Sequence, residues 1–195
     1  MPKLVDHDAR RADIIAATWR LIAHRGIDAT TMREIAREMG MANGALTHYF
    51  PDKNAIIQAA FEYVFQATND RIAARIGDAV GLDALRVFCR EVMPVDEVTL
   101  TEARVVIPFW QRALTDARMD AVFVDAMAQW RRSVEGFLAR ARSDGDVRTT
   151  VPDRVLAEQL LAMLTGLQIL ATLTPDTTTA VLQTRLLDAF LAGLG

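Results

Sequence analysis

A threonine three residues ahead of a glutamate, Thr31 and Glu34, fixes one point in this chain more firmly than any other. The pair is a capping box: each side chain satisfies a backbone amide that the first turn of a helix leaves open. Met32, Ile35, Ala36 and Met39 then follow at helical spacing, which gives the helix one apolar face. Gly40 stops it, because glycine enters the left-handed conformation without steric cost. A second short helix is predicted from Ala42 to His48. Tyr49, Phe50 and Pro51 end it, and Asp52 is placed to cap the next helix. Two short helices joined by a glycine turn make a helix-turn-helix, a unit whose second helix can enter the major groove of DNA.

The rest of the chain reads as helix as well. Ala, Leu and Arg are the commonest residues, all good helix formers, glycine and proline are few, and no segment alternates like a strand. A first helix is predicted from Asp8 to about His24, ended by Gly26. A long helix runs from Asp52 to about Gly77, followed by Gly81 to Met93, Asp96 to Leu114 and Asp116 to about Ser143. The last two are Asp153 to Leu173 and Asp176 to Leu194. Pro108 is expected to kink or split its helix, since it lacks an amide proton and crowds the preceding turn. Nine helices with short connections imply an all-α protein: an N-terminal three-helix domain over residues 1–52 and a C-terminal helical bundle over 53–195.

Charge and cysteine content narrow the setting. The net charge of −3 alone argues against nucleic acid. Residues 1–53, however, hold eight Lys or Arg against seven Asp or Glu, together with all three histidines. A helix-turn-helix needs only a local group of phosphate contacts, so this balance suffices. The single cysteine, Cys89, permits no internal disulfide and fits a reducing compartment. Residues 1–11 lack the apolar run of a secretory signal. Glu158, Gln159 and Gln168 interrupt the longest apolar stretches, so no membrane span is expected and the cytoplasm is the default location.

Enzyme signatures are missing. There is no HExxH, no P-loop, no GxGxxG after a strand and no nucleophile elbow. The histidines are far apart, Cys89 sits on an apolar helical face, and no metal or cofactor is expected. A DNA-binding protein without an effector, or a helical enzyme that keeps the motif as packing, are the alternatives.

Three strings, RRADIIAATWRLIAHRGIDATT, IAREMGMANGALTHYF and PDKNAII, resemble the TetR family of one-component regulators. The pattern is carried by Gly26, Thr30, Thr31, Ile35, Ala36, Gly40, Gly44, Tyr49, Phe50 and Lys53. The opening MPKL, the string HYFPDKN and the segment EARVVIPFWQRALTDARM are similar to the choline-responsive, BetI-like branch. The resemblance implies DNA contacts at Thr31, Arg33, Asn43, Gly44, Ala45, Thr47, His48, Tyr49 and Lys53. Asparagine suits adenine, and the threonine methyl suits a thymine methyl. Lys53 and the first amides of its helix are expected to share a phosphate. Ala42 departs from the usual Ser or Thr cap, a change worth about 1 kcal/mol.

Two further sites are expected in the C-terminal part. Phe88, Met93, Phe109, Trp110, Met127, Trp130 and Met163 lie on apolar helical faces and taken singly would be core. As a set near Glu102, Arg104 and Gln168 they can line an effector cavity with polar anchors. For a quaternary amine, Trp110 and Trp130 would supply cation–π contacts and Glu102 the counter-charge. The last two helices carry more leucine than one buried stripe requires. With the resemblance, this implies a homodimer joined through Leu156, Leu160, Leu164, Leu167, Leu182, Leu186 and Phe190. The implied function is a repressor that leaves its DNA operator when a small effector binds.

Overall fold

The computed structural model describes residues 7–195, the side chain of Asp28 excepted, so the MPKL opening lies outside the described residues. Among the described residues there are nine helices and no strand. They are α1 (His7–Ala29), α2 (Met32–Glu38), α3 (Asn43–Leu46), α4 (Lys53–Ile76), α5 (Gly81–Val92), α6 (Glu97–Ala113), α7 (Ala117–Asp144), α8 (Asp153–Leu173) and α9 (Ala180–Ala192).

Local signals account for most boundaries. Thr31 accepts from the Glu34 amide at 3.2 Å, and Glu34 accepts from the Thr31 amide at 3.3 Å. Gly40 takes φ 61°, and the Gly40 and Met41 amides donate back to the Arg37 and Ala36 carbonyls at 3.1 and 2.8 Å. This paired return closes α2 and turns the chain toward α3. Asp52 caps α4 by accepting from the Ala55 amide at 2.8 Å. Gly26, at φ 76° and ψ 166°, breaks the helical path of α1 three residues before its end.

Three expectations are corrected. The recognition helix α3 is a single turn, because Thr47, His48 and Tyr49 fold as a turn rather than a continuation. Helix α6 runs through Pro108 without being split. The carbonyl that Pro108 leaves unpaired in the ladder belongs to Arg104, an exposed residue, so water can serve it. Helix α9 begins at Ala180, not Asp176. Thr179 provides the cap by accepting from the Leu182 amide at 3.3 Å, and residues 175–178 form turns and a bend before it.

Three buried cores stack along the molecule. The first joins α1, α2, α3 and the start of α4 through Ile14, Leu21, Ile35, Leu46, Phe50 and Ile56. The second joins α1, α4, α6 and α7 through Ile22, Phe61, Val105, Phe109 and Met119. The third fills the C-terminal bundle, with Leu85, Phe88, Val134, Leu160 and Leu187 among its members. Helix α4 contributes to all three: Ile56 to the first, Phe61 to the second and Ile72 to the third. Apolar packing at interior density transmits displacement rather than absorbing it, so α4 is a stiff link between the two ends.

Helix α8 bears on the membrane expectation without overturning it. With a mean hydropathy of 1.5 it is long and apolar enough to span a bilayer, alone among the described helices. In this bundle one of its faces packs into the third core, while Val155, Leu170 and Leu173 stand exposed on the other.

Candidate functional site

The N-terminal unit presents a small polar surface on a rigid base. Leu46 and Phe50 are fully buried, which fixes the orientation of α3. Asn43, Gly44, Thr47 and His48 are exposed and Ala45 is half-buried. The Thr47 hydroxyl donates to the Gly44 carbonyl at 2.8 Å. Thr31 and Arg33 are exposed at the start of α2. Ala42 makes no side-chain cap. The ring of Tyr49 is half-buried and stacks on His7 with centroids 4.6 Å apart.

Arg10 and Arg11 turn inward from α1. Arg11 donates to the Tyr49 carbonyl at 2.9 Å and lies over the Phe50 ring, 4.1 Å from its centroid. Arg10 donates to the Met39 carbonyl at 3.3 Å. These two side chains clamp α1 across the ends of α2 and α3. Lys53 also reaches inward, and its ammonium donates to the Ile27 carbonyl. The first turn of α4 is already served by Asp52. At least part of what Lys53 offers is therefore spent on holding α1 to α4.

The C-terminal bundle holds an aromatic cavity between α4, α5, α6, α7 and α8. It is lined by Phe61, Phe65, Trp110, Met127 and Trp130, with Thr68, Glu91, Glu102 and Gln168 as its polar groups. Its free volume is about 30 Å³, close to the share of one water, so its walls are nearly closed on one another and a larger guest must part them. Phe65 and Trp130 meet at 5.2 Å, and the Trp130 indole N–H donates to Asn69 Oδ1 at 2.9 Å. The Gln168 amide donates to the Val92 carbonyl at 3.0 Å.

An ion-pair network backs one wall. Arg71 donates to both oxygens of Glu102, at 2.7 Å each, and its Nε donates to Glu91 Oε2 at 3.3 Å. Arg75 donates to the other Glu91 oxygen. The Thr68 hydroxyl lies 3.4 Å from Glu102 Oε2. The hydrogen bonds to Glu102 and the neighbouring negative charges hold the Arg71 guanidinium pKa above its ordinary value, against the pull of burial.

Of the ten side chains expected around an effector, five line this cavity: Glu102, Trp110, Met127, Trp130 and Gln168. The others do not. Phe88 and Met93 are fully buried in the third core, and Met163 packs against it. Phe109 stacks on Phe61 at 3.9 Å in the second core. Arg104 is exposed and lines an outer groove with His24 and Pro108. Phe61, Phe65, Thr68 and Glu91 escaped the sequence reading. Glu91 had a signal: with Ala84, Leu85, Phe88 and Val92 it shares the buried face of α5. Among the described residues no group of three or more His, Cys, Asp or Glu is gathered to hold a metal.

Of the side chains expected at a dimer surface, Leu182 and Leu186 are exposed and the other five are not. Leu156, Leu160, Leu164 and Leu167 are buried inside the protomer, and Phe190 packs against the same core. Apolar side chains cannot serve a partner while they fill their own core. The outward apolar face consists of Leu170 and Leu173 on α8 with Val181, Leu182 and Leu186 on α9.

Comparison with known proteins now decides the family. The family described as "Bacterial regulatory proteins, tetR family" matches residues 14–60, and "BetI-type transcriptional repressor, C-terminal" matches residues 82–195. The chain belongs to the TetR family. It is a DNA-binding transcriptional repressor of the BetI-like branch, not an enzyme. The HTH-type transcriptional regulator PksA of Bacillus subtilis (strain 168) is 32% identical over 181 residues, covering 90% of this chain and 84% of that protein. The regulator BetI of Burkholderia ambifaria (strain MC40-6) is 28% identical over 124 residues, covering 61% of this chain and 62% of that protein. Among solved structures, a regulator from Saccharomonospora viridis in complex with choline superposes with a TM-score of 0.88 at 22% identity, covering 95% of this chain and 96% of that one. A transcriptional regulator from Rhodococcus sp. Rha1 gives 0.83 at 22% identity, covering 94% and 95%. Both share this TetR fold.

Proposed function

We propose that this repressor acts as a cytoplasmic homodimer that leaves its operator when a small organic cation enters the aromatic cavity. One observation carries the effector class. Two carboxylates, Glu91 and Glu102, border a cavity walled by Trp110, Trp130, Phe61 and Phe65. Aromatic faces attract cations, and carboxylates with little access to water need positive partners. The choline held by the Saccharomonospora viridis regulator is a ligand of this class.

The DNA face is the exposed edge of α3, with Asn43 and Thr47 reading bases and Gly44 allowing close approach. Thr31, Arg33, His48 and Tyr49 flank it toward the phosphates. Two such edges must sit about 34–36 Å apart, one turn of DNA, to enter successive major grooves. The exposed leucines of α8 and α9 support the two-fold pairing this spacing needs. Effector between α4 and α6 favours a dimer whose reading edges are out of register, and α4 carries the shift. The ligand moves the equilibrium only by its difference in affinity between the two states.

The test has two arms. Selection of bound sequences from random DNA yields a two-fold symmetric site with half-sites one turn apart, and Asn43→Ala relaxes preference at one base position per half-site. Calorimetric titration with choline and betaine aldehyde gives heat, and the same compounds release the selected DNA in a gel shift. Heat from neither compound removes the cation reading and leaves the DNA reading standing.

A further inference from the structure

We propose that Glu91, not Glu102, is the carboxylate that meets the effector's positive charge, and that Arg75 is a placeholder cation which gives up Glu91 when the effector arrives. The inference rests on the cation reading above and names the side chains that enact it.

The two carboxylates are held very differently. Glu102 is saturated by one guanidinium: both oxygens accept from Arg71 at 2.7 Å, and Thr68 approaches one of them as well. Two parallel charge-assisted bonds are the strongest form of this contact. The Arg71 side chain is 25% exposed and that of Glu102 11%, so this pair has less water to part into than Arg75 has. Glu91 is less firmly engaged. Its contact with Arg71 is a single bond at 3.3 Å, and its other oxygen is served by Arg75.

Exposure decides which bond yields. The Arg75 side chain is 63% exposed while that of Glu91 is 4% exposed. A released Arg75 guanidinium returns to water at little cost. Glu91 cannot follow, and once uncovered it is a buried anion short of a partner. The departure of Arg75 therefore creates a demand for positive charge that only another cation can meet. With Arg75 gone, the enclosed cluster consists of Glu91, Glu102 and Arg71, two negative charges against one positive. A singly charged ligand balances it.

Position supports the same exchange. Glu91 lines the inner cavity and also a groove on the outer surface, where its neighbours are Arg75, Arg90, Val95, Asp96 and Thr184. It is thus the carboxylate reachable from both sides. On the inner side the cavity offers Trp130 and Phe65, whose faces suit a trimethylammonium group. Glu102 also lines the cavity but not the groove, and its partner Arg71 is the less exposed of the two arginines.

The experiment is calorimetric titration of the full chain with choline and with tetramethylammonium. Wild type spends part of its binding free energy on dislodging Arg75, so Arg75→Ala should bind both cations about ten-fold more tightly. Glu91→Gln should lose at least about ten-fold in affinity, and Glu91→Asp, which keeps the charge, should recover most of it. Equal or weaker binding by Arg75→Ala overturns the placeholder role while leaving the cation reading intact. Full affinity in Glu91→Gln, or equal losses in Glu91→Gln and Glu91→Asp, overturns the assignment of the counter-ion. If neither cation binds any of the four proteins, the cation reading fails and this inference fails with it. Arg75 is exposed, so its variant tests the exchange even if the Glu91 variants do not fold.

Discussion

Asn54 on the first turn of α4 donates its side-chain amide to the carboxylate of Asp116 at 3.3 Å, joining residues 62 apart in the chain. The other end of the same amide accepts from Arg112, in the last turn of α6, at 3.2 Å. Asp116 in turn caps α7 by accepting from the Arg118 and Met119 amides. One amide therefore fastens the α6–α7 corner to the start of α4, next to Lys53 and its bond to the end of α1. Trp110 lies two residues before Arg112 and lines the cavity. The corner thus ties the helix that carries Trp110 to the first turn of α4.

The first prediction concerns that bridge. Asn54→Ala removes two hydrogen bonds and should destabilise the protein by about 1–2 kcal/mol in urea unfolding. A double-mutant cycle with Asp116→Ala should return a coupling of about 0.5–1.5 kcal/mol, since the two side chains touch. Additivity within about 0.3 kcal/mol would mean the contact carries nothing.

Lys53→Ala separates two roles for one ammonium. A phosphate contact contributes a slope of roughly 0.9 to the fall of log affinity with log salt. Because the ammonium donates to the Ile27 carbonyl, the variant should instead lose about 1 kcal/mol of stability. The salt slope should change by less than about half a unit. Operator binding measured across a salt series, beside thermal unfolding, distinguishes the two. A full unit of slope with unchanged stability would return Lys53 to the phosphate.

What the sequence made legible was local. Thr31 and Glu34, Gly40, and Asp52 act on amides within a few residues, so spacing alone places them. Pro108 misled because propensity ignores that the residue whose carbonyl it orphans, Arg104, is exposed. The Leu156, Leu160, Leu164 and Leu167 stripe misled for a different reason: a pattern says that a face is apolar, not whether its own protomer or a partner covers it. Five of the thirteen residues that line the cavity were legible, Trp110 and Trp130 among them, because large apolar side chains on one helical face turn inward whatever their partners. Glu91 was not, since its meaning depends on Arg71 and Arg75, which come from a helix twenty and sixteen residues earlier.

The exposed and buried leucines give a paired prediction. Leu182→Glu combined with Leu186→Glu places charge on the outward face of α9 and should yield a folded monomer by sedimentation that no longer retards operator DNA. Leu160→Ala lies in the protomer's own core and should cost about 2–5 kcal/mol in stability without producing a folded monomer. A dimer that survives the double substitution would place the two-fold contact elsewhere.

Cys89 supplies a prediction with a sign fixed by burial. It has no exposed surface and sits among Leu85, Phe88 and Val92 on α5. Burial pushes its thiol up from an ordinary value near 9 to about 12, only weakly opposed by the charge of Arg86. The native thiol should therefore resist a disulfide reagent at neutral pH and react at once when the chain is unfolded in urea. Above pH 9 the unfolded chain gives up this proton while the folded one keeps it. The folded state then binds more protons than the unfolded state, so stability falls as pH rises. The contribution is complete below pH 9 and is lost progressively from there toward pH 12. Cys89→Ala lacks the titrating group but carries a constant offset from the missing sulfur. The stability difference between wild type and Cys89→Ala, measured by urea unfolding from pH 7 to pH 11, should stay level to about pH 9 and then move against wild type. A difference that is flat across the whole range would mean the thiolate is tolerated in the core.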